Sequence, residues 1–235
     1  MQAPLEHQRP RWLIAGGRTR LGRALAELLA PDHDLVLTSS KPWAGESWTG
    51  ALRADVATLV WDADAPGLEA RMAADLADLR LDGVVVLAGS FPEQPFGAWT
   101  LEGLASTWRL NQGFPLLVAQ AAAPRLNDGA CLQFIVDAAI HRPFLKRLPY
   151  TAAKAGLAAL VPGLARALAP RLRVVGHALG TALPGDHDDV AALKAATLLG
   201  RVGSPEDLAR ALRYAAESPY LTGQILTLDG GWSIK

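Results

Sequence analysis

The feature that most constrains the fold of this chain is a regular alternation of short apolar runs and longer amphipathic stretches, which continues from residue 12 to residue 228. The apolar runs have the length of strands that are buried on both faces, and the stretches between them have helical periodicity. Parallel strands are joined by crossover helices, so this alternation is typical of a sheet covered by helices on both faces. We therefore predict an α/β fold with a doubly wound parallel sheet of about seven strands.

Individual elements follow from the same pattern. The predicted strands are residues 12–15, 35–38, 52–56, 83–88, 130–136, 172–175 and 224–228. The predicted helices are residues 21–30, 68–79, 101–123, 150–169 and 205–217, with a break near Gly113 and Pro115 and a kink at Pro162. Ser204 is the predicted N-cap of the last helix. We expect a single domain over residues 1–235, with residues 1–10 as a flexible N-terminal extension.

The first strand leads into a glycine-rich turn, Gly16-Gly17-Arg18-Thr19-Arg20-Leu21-Gly22. Glycines at a strand-to-helix turn let the backbone approach a pyrophosphate, and the first turn of the helix offers free N–H groups. Such a turn can also simply close a βα unit. Its place after the first strand favours a dinucleotide site in a Rossmann-type sheet.

The residues around the second strand indicate which dinucleotide fits. That strand is followed by Ser39-Ser40-Lys41 and lacks the terminal acid that binds the ribose of NAD. Arg18, Arg20 and Lys41 are either solvated charges or the cations that accommodate the 2′-phosphate of NADP. We therefore predict NADPH in preference to NAD. Asp55, after the predicted third strand, either accepts a hydrogen bond from adenine or is only a polar strand end.

Tyr150 and Lys154 lie four residues apart on a predicted helix and therefore share one face. A tyrosine hydroxyl has a pKa of about 10 and is a poor acid at neutral pH, but a nearby ammonium lowers that pKa. The pair thus suits proton transfer. The same spacing is common in plain amphipathic helices, so the pair alone does not establish catalysis.

The order of these motifs resembles the short-chain dehydrogenase/reductase family over nearly all of residues 11–233. The resemblance is carried by the glycine turn, Asp55, Asn111, Tyr150 with Lys154, and the runs Arg201-Val202-Gly203-Ser204-Pro205-Glu206-Asp207, Leu221-Thr222-Gly223-Gln224 and Asp229-Gly230-Gly231. It implies that Tyr150 donates a proton and that Lys154 binds the nicotinamide ribose and lowers the pKa of Tyr150. It further implies that Asn111 holds a water that links Lys154 to solvent. Without the family, Asn111 is equally well explained as a polar core residue.

The resemblance also implies a cofactor site and an assembly. The expected cofactor contacts are Gly16, Arg18, Arg20, Leu21, Gly22, Ser40, Lys41, Asp55, Ala88, Gly89, Tyr150, Lys154 and Gly180. Members of the family are usually tetramers, so a homotetramer is expected.

Two departures from the family pattern favour one branch of it. Asp137 stands where most members have serine, and Arg20 stands where most have glycine. Both, together with Phe91 after the fourth strand, resemble the pteridine reductase and dihydromonapterin reductase branch. This resemblance implies that Asp137 assists Tyr150 in protonating a ring nitrogen and that Phe91 stacks on the pterin. An aromatic residue at a strand end is, however, often only a residue at the edge of the hydrophobic core. The predicted substrate contacts are Phe91, Arg18, Asp137, Tyr150 and Leu183.

Two further departures concern the strand ends near the cofactor. Val86-Leu87-Ala88-Gly89 stands in place of Asn-Asn-Ala-Gly, and Leu179-Gly180 in place of Pro-Gly. These changes either loosen the positioning of the cofactor or are compensated elsewhere.

The composition limits the kinds of partner that we expect for this chain. The formal net charge of +0 argues against nucleic acid, and we see no apolar stretch that suits a secretory signal or a bilayer span. Cys131 has no second cysteine to pair with and is expected to be a buried, inert thiol in a cytoplasmic protein. Asp186-His187-Asp188-Asp189 is expected to be a solvated loop, and no metal is predicted.

Three functions follow as hypotheses. The first is an NADPH-dependent reductase that acts on a small pterin-type ring, on the basis of Asp137, Arg20 and Phe91. The second is a carbonyl reductase of the same fold, acting on a ketone or a 3-oxoacyl compound. The third is a non-catalytic nucleotide-binding protein, motivated by Leu87 and Leu179.

Overall fold

The computed structural model describes residues 9–43 and 56–235. Within these residues, seven parallel strands form one sheet in the order β3-β2-β1-β4-β5-β6-β7. The strands are β1 (Arg11–Ala15), β2 (Asp34–Ser39), β3 (Ala57–Val60), β4 (Leu81–Val86), β5 (Leu126–Asp137), β6 (Arg173–Leu179) and β7 (Gln224–Leu228). The chain order reverses direction between β1 and β4, as in a doubly wound sheet, so the predicted fold class is confirmed.

The helices occupy the stretches between the strands. They are α1 (Arg20–Leu29), α2 (Leu68–Asp75), α3 (Leu101–Trp108), α4 (Phe114–Ala122), α5 (Leu148–Leu168), α6 (Val190–Ala195) and α7 (Pro205–Glu217). The predicted start of α7 is confirmed, because the side chain of Ser204 accepts from the backbone N–H of Asp207 and the Asp207 side chain accepts in return. The predicted kink at Pro162 does not interrupt α5, which continues to Leu168.

The sheet is buried on both faces because successive strand residues alternate between two cores. Leu13 and Val84 belong to the core that also holds Leu157 of α5. Ile14 belongs to the opposite core, which holds Leu25 of α1 and residues of α7. The strand residues that face either side of the sheet are therefore apolar, as a sheet between two layers of helices requires.

The predicted position of the third strand was wrong. Residues 52–55 lie outside the described residues, and β3 begins at Ala57. β3 is an edge strand whose first two residues are exposed, so its hydrophobic signal is weak. The acidic residue that follows the third strand is therefore Asp62, whereas the predicted Asp55 lies outside the described residues.

The predicted break near Gly113 and Pro115 is instead a π-helical turn, Arg109–Gly113, inserted between α3 and α4. The N–H of Phe114 donates to the carbonyl oxygen of Arg109, five residues earlier, so the turn holds one residue more than an α-helical turn. The buried Asn111 lies in this turn. Single π turns inside helices are frequent at functional sites.

Candidate active site

Asp137 and Tyr150 meet at the carboxyl end of β5. Asp137 is the last residue of β5, and its Oδ1 accepts a hydrogen bond of 2.8 Å from the N–H of Ala139, which fixes the carboxylate. The Tyr150 hydroxyl, near the start of α5, donates to Oδ2 of Asp137 at 2.6 Å. The carboxylate thus binds the backbone with one oxygen and the phenol with the other.

The ionisation of Tyr150 is governed by burial and by Asp137. Both raise the pKa of the hydroxyl well above its usual value, while the Arg147 charge opposes them. The expectation that Lys154 lowers the pKa of Tyr150 stays a prediction. The phenol is held in its protonated form, which is the form that donates a proton.

Lys154 lies one helical turn beyond Tyr150 and is buried. Its Nζ donates to the carbonyl oxygen of Ile135 at 2.9 Å and lies 6.0 Å from the centroid of the Tyr150 ring. Burial lowers the pKa of the Lys154 ammonium to about 8, and the charge of Asp137 opposes this shift. The ammonium therefore lies near the Tyr150 ring and is bonded to the backbone of β5.

Asn111 is fully buried beside this group. Its Oδ1 accepts from the N–H of Ser90 at 3.1 Å, and its Nδ2 donates to the carbonyl oxygen of Thr107 at 3.0 Å. A Cβ added to Gly89 would lie 2.7 Å from Asn111 Oδ1 and 3.5 Å from Lys154 Nζ. Gly89 is thus required by close packing, and the water expected between Asn111 and Lys154 stays a prediction.

A cavity of about 730 Å³ opens above Tyr150, and we call it the catalytic cavity. Among the predicted residues it is lined by Phe91, Asp137, Tyr150, Gly180 and Leu183. The Phe91 ring meets the Tyr150 ring edge-on, with their centroids 4.8 Å apart.

Two further aromatic residues line the catalytic cavity and were missed by sequence reasoning. Phe144 lies 5.6 Å from Phe91 and 5.2 Å from Trp232, measured between ring centroids. Phe144 precedes Tyr150 by six residues, and Trp232 follows the glycine pair after β7. The sequence pattern around Phe144 and Trp232 does not predict their place in the cavity, because the contacts that bring them there join segments that are distant in the chain.

A second cavity, of about 770 Å³, lies at the glycine turn, and we call it the nucleotide cavity. It brings together six predicted residues: Gly16, Arg18, Ser40, Lys41, Ala88 and Gly89. It also contains Asp62, which sequence reasoning missed because the third strand was misplaced. Lys41 and Ser40 are exposed at its rim.

The shape of the glycine turn fits a dinucleotide. Gly16 has a φ of +97°, and a Cβ there would lie 2.8 Å from the N atom of Ala88. Thr19 caps α1 by accepting from the N–H of Gly22 at 3.0 Å. The turn therefore leaves a cradle at a helix N-terminus, beside the cations Arg18 and Lys41, where backbone N–H groups suit the phosphates of a nucleotide cofactor.

Three predicted cofactor contacts are placed elsewhere. Arg20 donates to the carbonyl oxygen of Pro184 at 3.0 Å and lies 3.7 Å from Asp186, so it contacts the loop after β6 and lines neither cavity. Leu21 packs against the core shared by α1 and α7. Gly22 allows a close turn, since a Cβ there would lie 2.3 Å from the carbonyl oxygen of Gly16.

The remaining candidates have structural partners. Within residues 9–43 and 56–235, no group of three or more His, Cys, Asp or Glu side chains is arranged to hold a metal ion. Asp189 caps α6, and Asp188 accepts from the N–H of Gly185. Cys131 is buried, and burial raises the pKa of its thiol to about 11.

Among the helices in the part of the chain that the structure describes, none is both long and apolar enough to span a bilayer.

Comparisons with known proteins agree on the family. The family model described as enoyl-(acyl carrier protein) reductase matches residues 21–233. The chain is 29% identical over 240 residues to an uncharacterized short-chain type dehydrogenase/reductase, y4vI, of Sinorhizobium fredii. That alignment covers 94% of this chain but only 43% of the relative, so the chain spans less than half the length of that protein.

Two further likenesses extend over nearly whole chains. Carbonyl reductase family member 4 of Danio rerio is 29% identical over 228 residues, which cover 93% of this chain and 96% of that protein. A solved short-chain dehydrogenase/reductase from Serratia marcescens superposes with a TM-score of 0.84 at 26% identity, covering 96% of this chain and 98% of the other.

Proposed function

This chain belongs to the short-chain dehydrogenase/reductase family, and from that premise we propose that it is an NADPH-dependent reductase of a pterin-type ring. The family makes it an NAD(P)-dependent oxidoreductase. The single observation that carries the narrower proposal is the hydrogen bond of 2.6 Å between Tyr150 and Asp137, at a position where most of the family has serine.

The proposed chemistry reduces a C=N bond of a dihydropterin, which takes a hydride on carbon and a proton on nitrogen. NADPH supplies the hydride when bound and leaves as NADP⁺. Tyr150 gives its hydroxyl proton to the ring nitrogen and becomes a phenolate, and a proton from solvent, passed through the carboxyl group of Asp137, restores the phenol. Lys154 would hold the ribose of the cofactor.

The aromatic residues that line the catalytic cavity, Phe91, Phe144 and Trp232, are proposed to orient the substrate. Phe91 presents a half-exposed ring next to Tyr150, which suits a flat heteroaromatic ring held beside the proton donor. Leu183, a predicted substrate contact, lines the same cavity, and so does Gly180, which was predicted to contact the cofactor. The aspartate also offers an acceptor for an amino group, which a pterin carries and a simple ketone lacks.

Turnover assays test this assignment. With saturating NADPH, the proposal expects oxidation of NADPH in the presence of dihydrobiopterin, dihydromonapterin or dihydrofolate. If none of the three is reduced by an enzyme that reduces ketones, the pterin assignment is wrong.

The Asp137→Ser variant, which restores the common family residue, is expected to lower kcat/KM for the best pterin by about 100-fold, in the range of a lost proton-transfer partner. Serine keeps a hydrogen-bond acceptor for Tyr150 but has no carboxyl group to pass a solvent proton to the phenolate. Asp137→Asn, which keeps the shape of the side chain, is the matched control for the charge. Steady-state rates at fixed NADPH measure both variants, and an unchanged pterin rate in Asp137→Ser would contradict the proposed relay.

A carbonyl reductase is the second candidate. The catalytic cavity is lined largely by apolar side chains, and the Danio rerio relative is named carbonyl reductase family member 4. For a ketone, Tyr150 would give its proton to the carbonyl oxygen and Asp137 would be dispensable. Ketone turnover that survives Asp137→Ser, without pterin turnover in the parent enzyme, would favour this candidate.

NADPH rather than NADH is proposed as the reductant because β2 ends at Ser39 without the acid that binds the ribose of NAD, and because Lys41 stands at the rim of the nucleotide cavity. Lys41→Ala is expected to lower the ratio of kcat/KM for NADPH over NADH about 10-fold, the size of a charge-assisted hydrogen bond to phosphate. Lys146→Ala, at an exposed lysine outside the nucleotide cavity, is the control. An unchanged cofactor ratio in Lys41→Ala would place the 2′-phosphate elsewhere.

The homotetramer and the cytoplasmic location remain predictions from the family resemblance. Large exposed apolar side chains on α3, Leu101 and Trp108, support an assembly that covers them.

A further inference from the structure

We infer that Arg147 is a positioning residue that holds the ring of Phe91 against Tyr150 and thereby sets the affinity of the catalytic cavity for flat ring substrates. The inference rests on the proposed function, because it assigns a role in the same cavity. It applies equally to a pterin and to an aromatic ketone, since both present a flat ring.

The Arg147 guanidinium contacts the Phe91 segment in three ways. Its central carbon lies 3.9 Å from the centroid of the Phe91 ring. One terminal nitrogen donates to the carbonyl oxygen of Phe91, and the other pairs with the carboxylate of Glu93 at 3.1 Å. Arg147 therefore holds the ring, the backbone and a neighbouring side chain of the same segment at once.

Phe91 has little other support. It lies beyond the end of β4 in a segment without regular structure, and 49% of its surface is exposed. Its other ring contacts are edge-on, with Tyr150 and Phe144. A ring so placed keeps one orientation only if something covers its face, and the guanidinium of Arg147 does so.

The segment that carries Arg147 also carries the proton donor. Arg147 ends the 3₁₀ turn Leu145–Arg147, and α5 begins at the next residue with Tyr150 in its first turn. The N–H of Gln94 donates to the carbonyl oxygen of Lys146 at 2.8 Å, which ties the two segments together. The separation of Phe91 from Tyr150 is thus set by one short piece of chain.

The chemistry of arginine matters here. A guanidinium is planar, so it stacks on a ring and donates from its edges at the same time. A lysine ammonium would keep the charge but could not do both. The side chain of Arg147 is only 20% exposed, which strengthens a cation–π contact relative to one in open water.

The first test measures steady-state kinetics with whichever substrate, pterin or ketone, the enzyme reduces best. Arg147→Ala is expected to raise KM for that substrate about 10-fold, the size of a partly desolvated cation–π contact. The value of kcat is expected to change less than about 3-fold, because the Arg147 charge only partly opposes the larger effects of burial and Asp137 on the pKa of Tyr150. Arg147→Lys is expected to give an intermediate KM, and Lys146→Ala, at the adjacent exposed cation, no change.

A double-mutant cycle separates positioning from general damage. If Arg147 acts through Phe91, then Arg147→Ala has no further effect on KM in a Phe91→Ala background. An equal rise in KM in both backgrounds overturns the inference, as does a fall in kcat at unchanged KM. Thermal unfolding of each variant shows whether it folds, and Arg147→Met, which keeps the apolar stem, replaces Arg147→Ala if that variant does not.

A binding measurement keeps this inference distinct from the proposed function. The Kd of 2,4-diaminopteridine with NADPH present is measured by quenching of tryptophan fluorescence. Even if no pterin is reduced, the inference expects Kd to rise about 10-fold in Arg147→Ala. An unchanged Kd in that variant overturns it.

Discussion

Tyr150→Phe is expected to lower kcat by about 1,000-fold, in the range that a positioned general acid contributes. The variant loses one oxygen atom and keeps the ring that packs against Phe91. In the parent enzyme burial and Asp137 hold the pKa of Tyr150 well above its usual value, so the hydroxyl is protonated before the substrate reacts. Water cannot replace it easily, because the Tyr150 side chain is buried.

The measurement is single-turnover oxidation of NADPH, which isolates the chemical step from product release. Affinity for NADPH, followed by its fluorescence, is expected to change little, since Lys154 and the nucleotide cavity are untouched. Tyr214→Phe is the matched control, because Tyr214 is exposed on α7 and lies outside both cavities. A Tyr150→Phe enzyme with more than about a tenth of the parent kcat would exclude Tyr150 as the proton donor.

Arg173→Met is expected to lower the free energy of unfolding by about 4 kcal/mol, the loss of several charge-assisted hydrogen bonds at once. Arg173 opens β6 and is buried, and its guanidinium donates to the carbonyl oxygens of Ala215, Ala216 and Ser218 at 2.6, 2.6 and 3.0 Å. These carbonyls belong to the last turn of α7 and the residue after it. The positive charge also complements the negative end of the helix dipole. Methionine fills part of the space but leaves the carbonyls without partners.

Urea unfolding followed by circular dichroism measures this effect. Arg166→Met, on an exposed position of α5, is the control and is expected to change stability by less than about 0.5 kcal/mol. The free energy of unfolding of Arg173→Lys is expected to lie between those of Arg173→Met and the control, because one ammonium cannot reach all the carbonyl oxygens that the guanidinium contacts. A midpoint for Arg173→Met equal to that of the control would show that the carbonyls find other partners.

The sequence predicted those parts of the site that local spacing controls. Tyr150 and Lys154 share a helix face, and Asp137 ends the preceding strand, so their meeting follows from the order of elements. Asp62 was missed because β3 is an exposed edge strand, and such strands carry weak hydrophobic patterns. The misplacement of the strand moved the predicted acid to Asp55.

Contacts between distant segments could not be predicted from spacing. Arg20 was expected to face the cofactor because it follows the glycine turn, but its long side chain reaches Pro184 and Asp186 instead. Phe144 and Trp232 line the catalytic cavity from opposite ends of the last hundred residues or so. Burial and the Asp137 carboxylate, which raise the pKa of Tyr150, were likewise not visible in the spacing of Tyr150 and Lys154.

The π turn at Arg109–Gly113 makes the site sensitive to a deletion in this part of the chain. Because the turn holds one extra residue, a one-codon deletion there would restore a regular α-helix and rotate the residues on one side of it by about 100° relative to the other. Asn111 would then leave Ser90 and Gly89, while the outer surface of the helix would still look intact. We therefore expect the length of this segment to be more constrained than the identity of the exposed residues on α3 and α4.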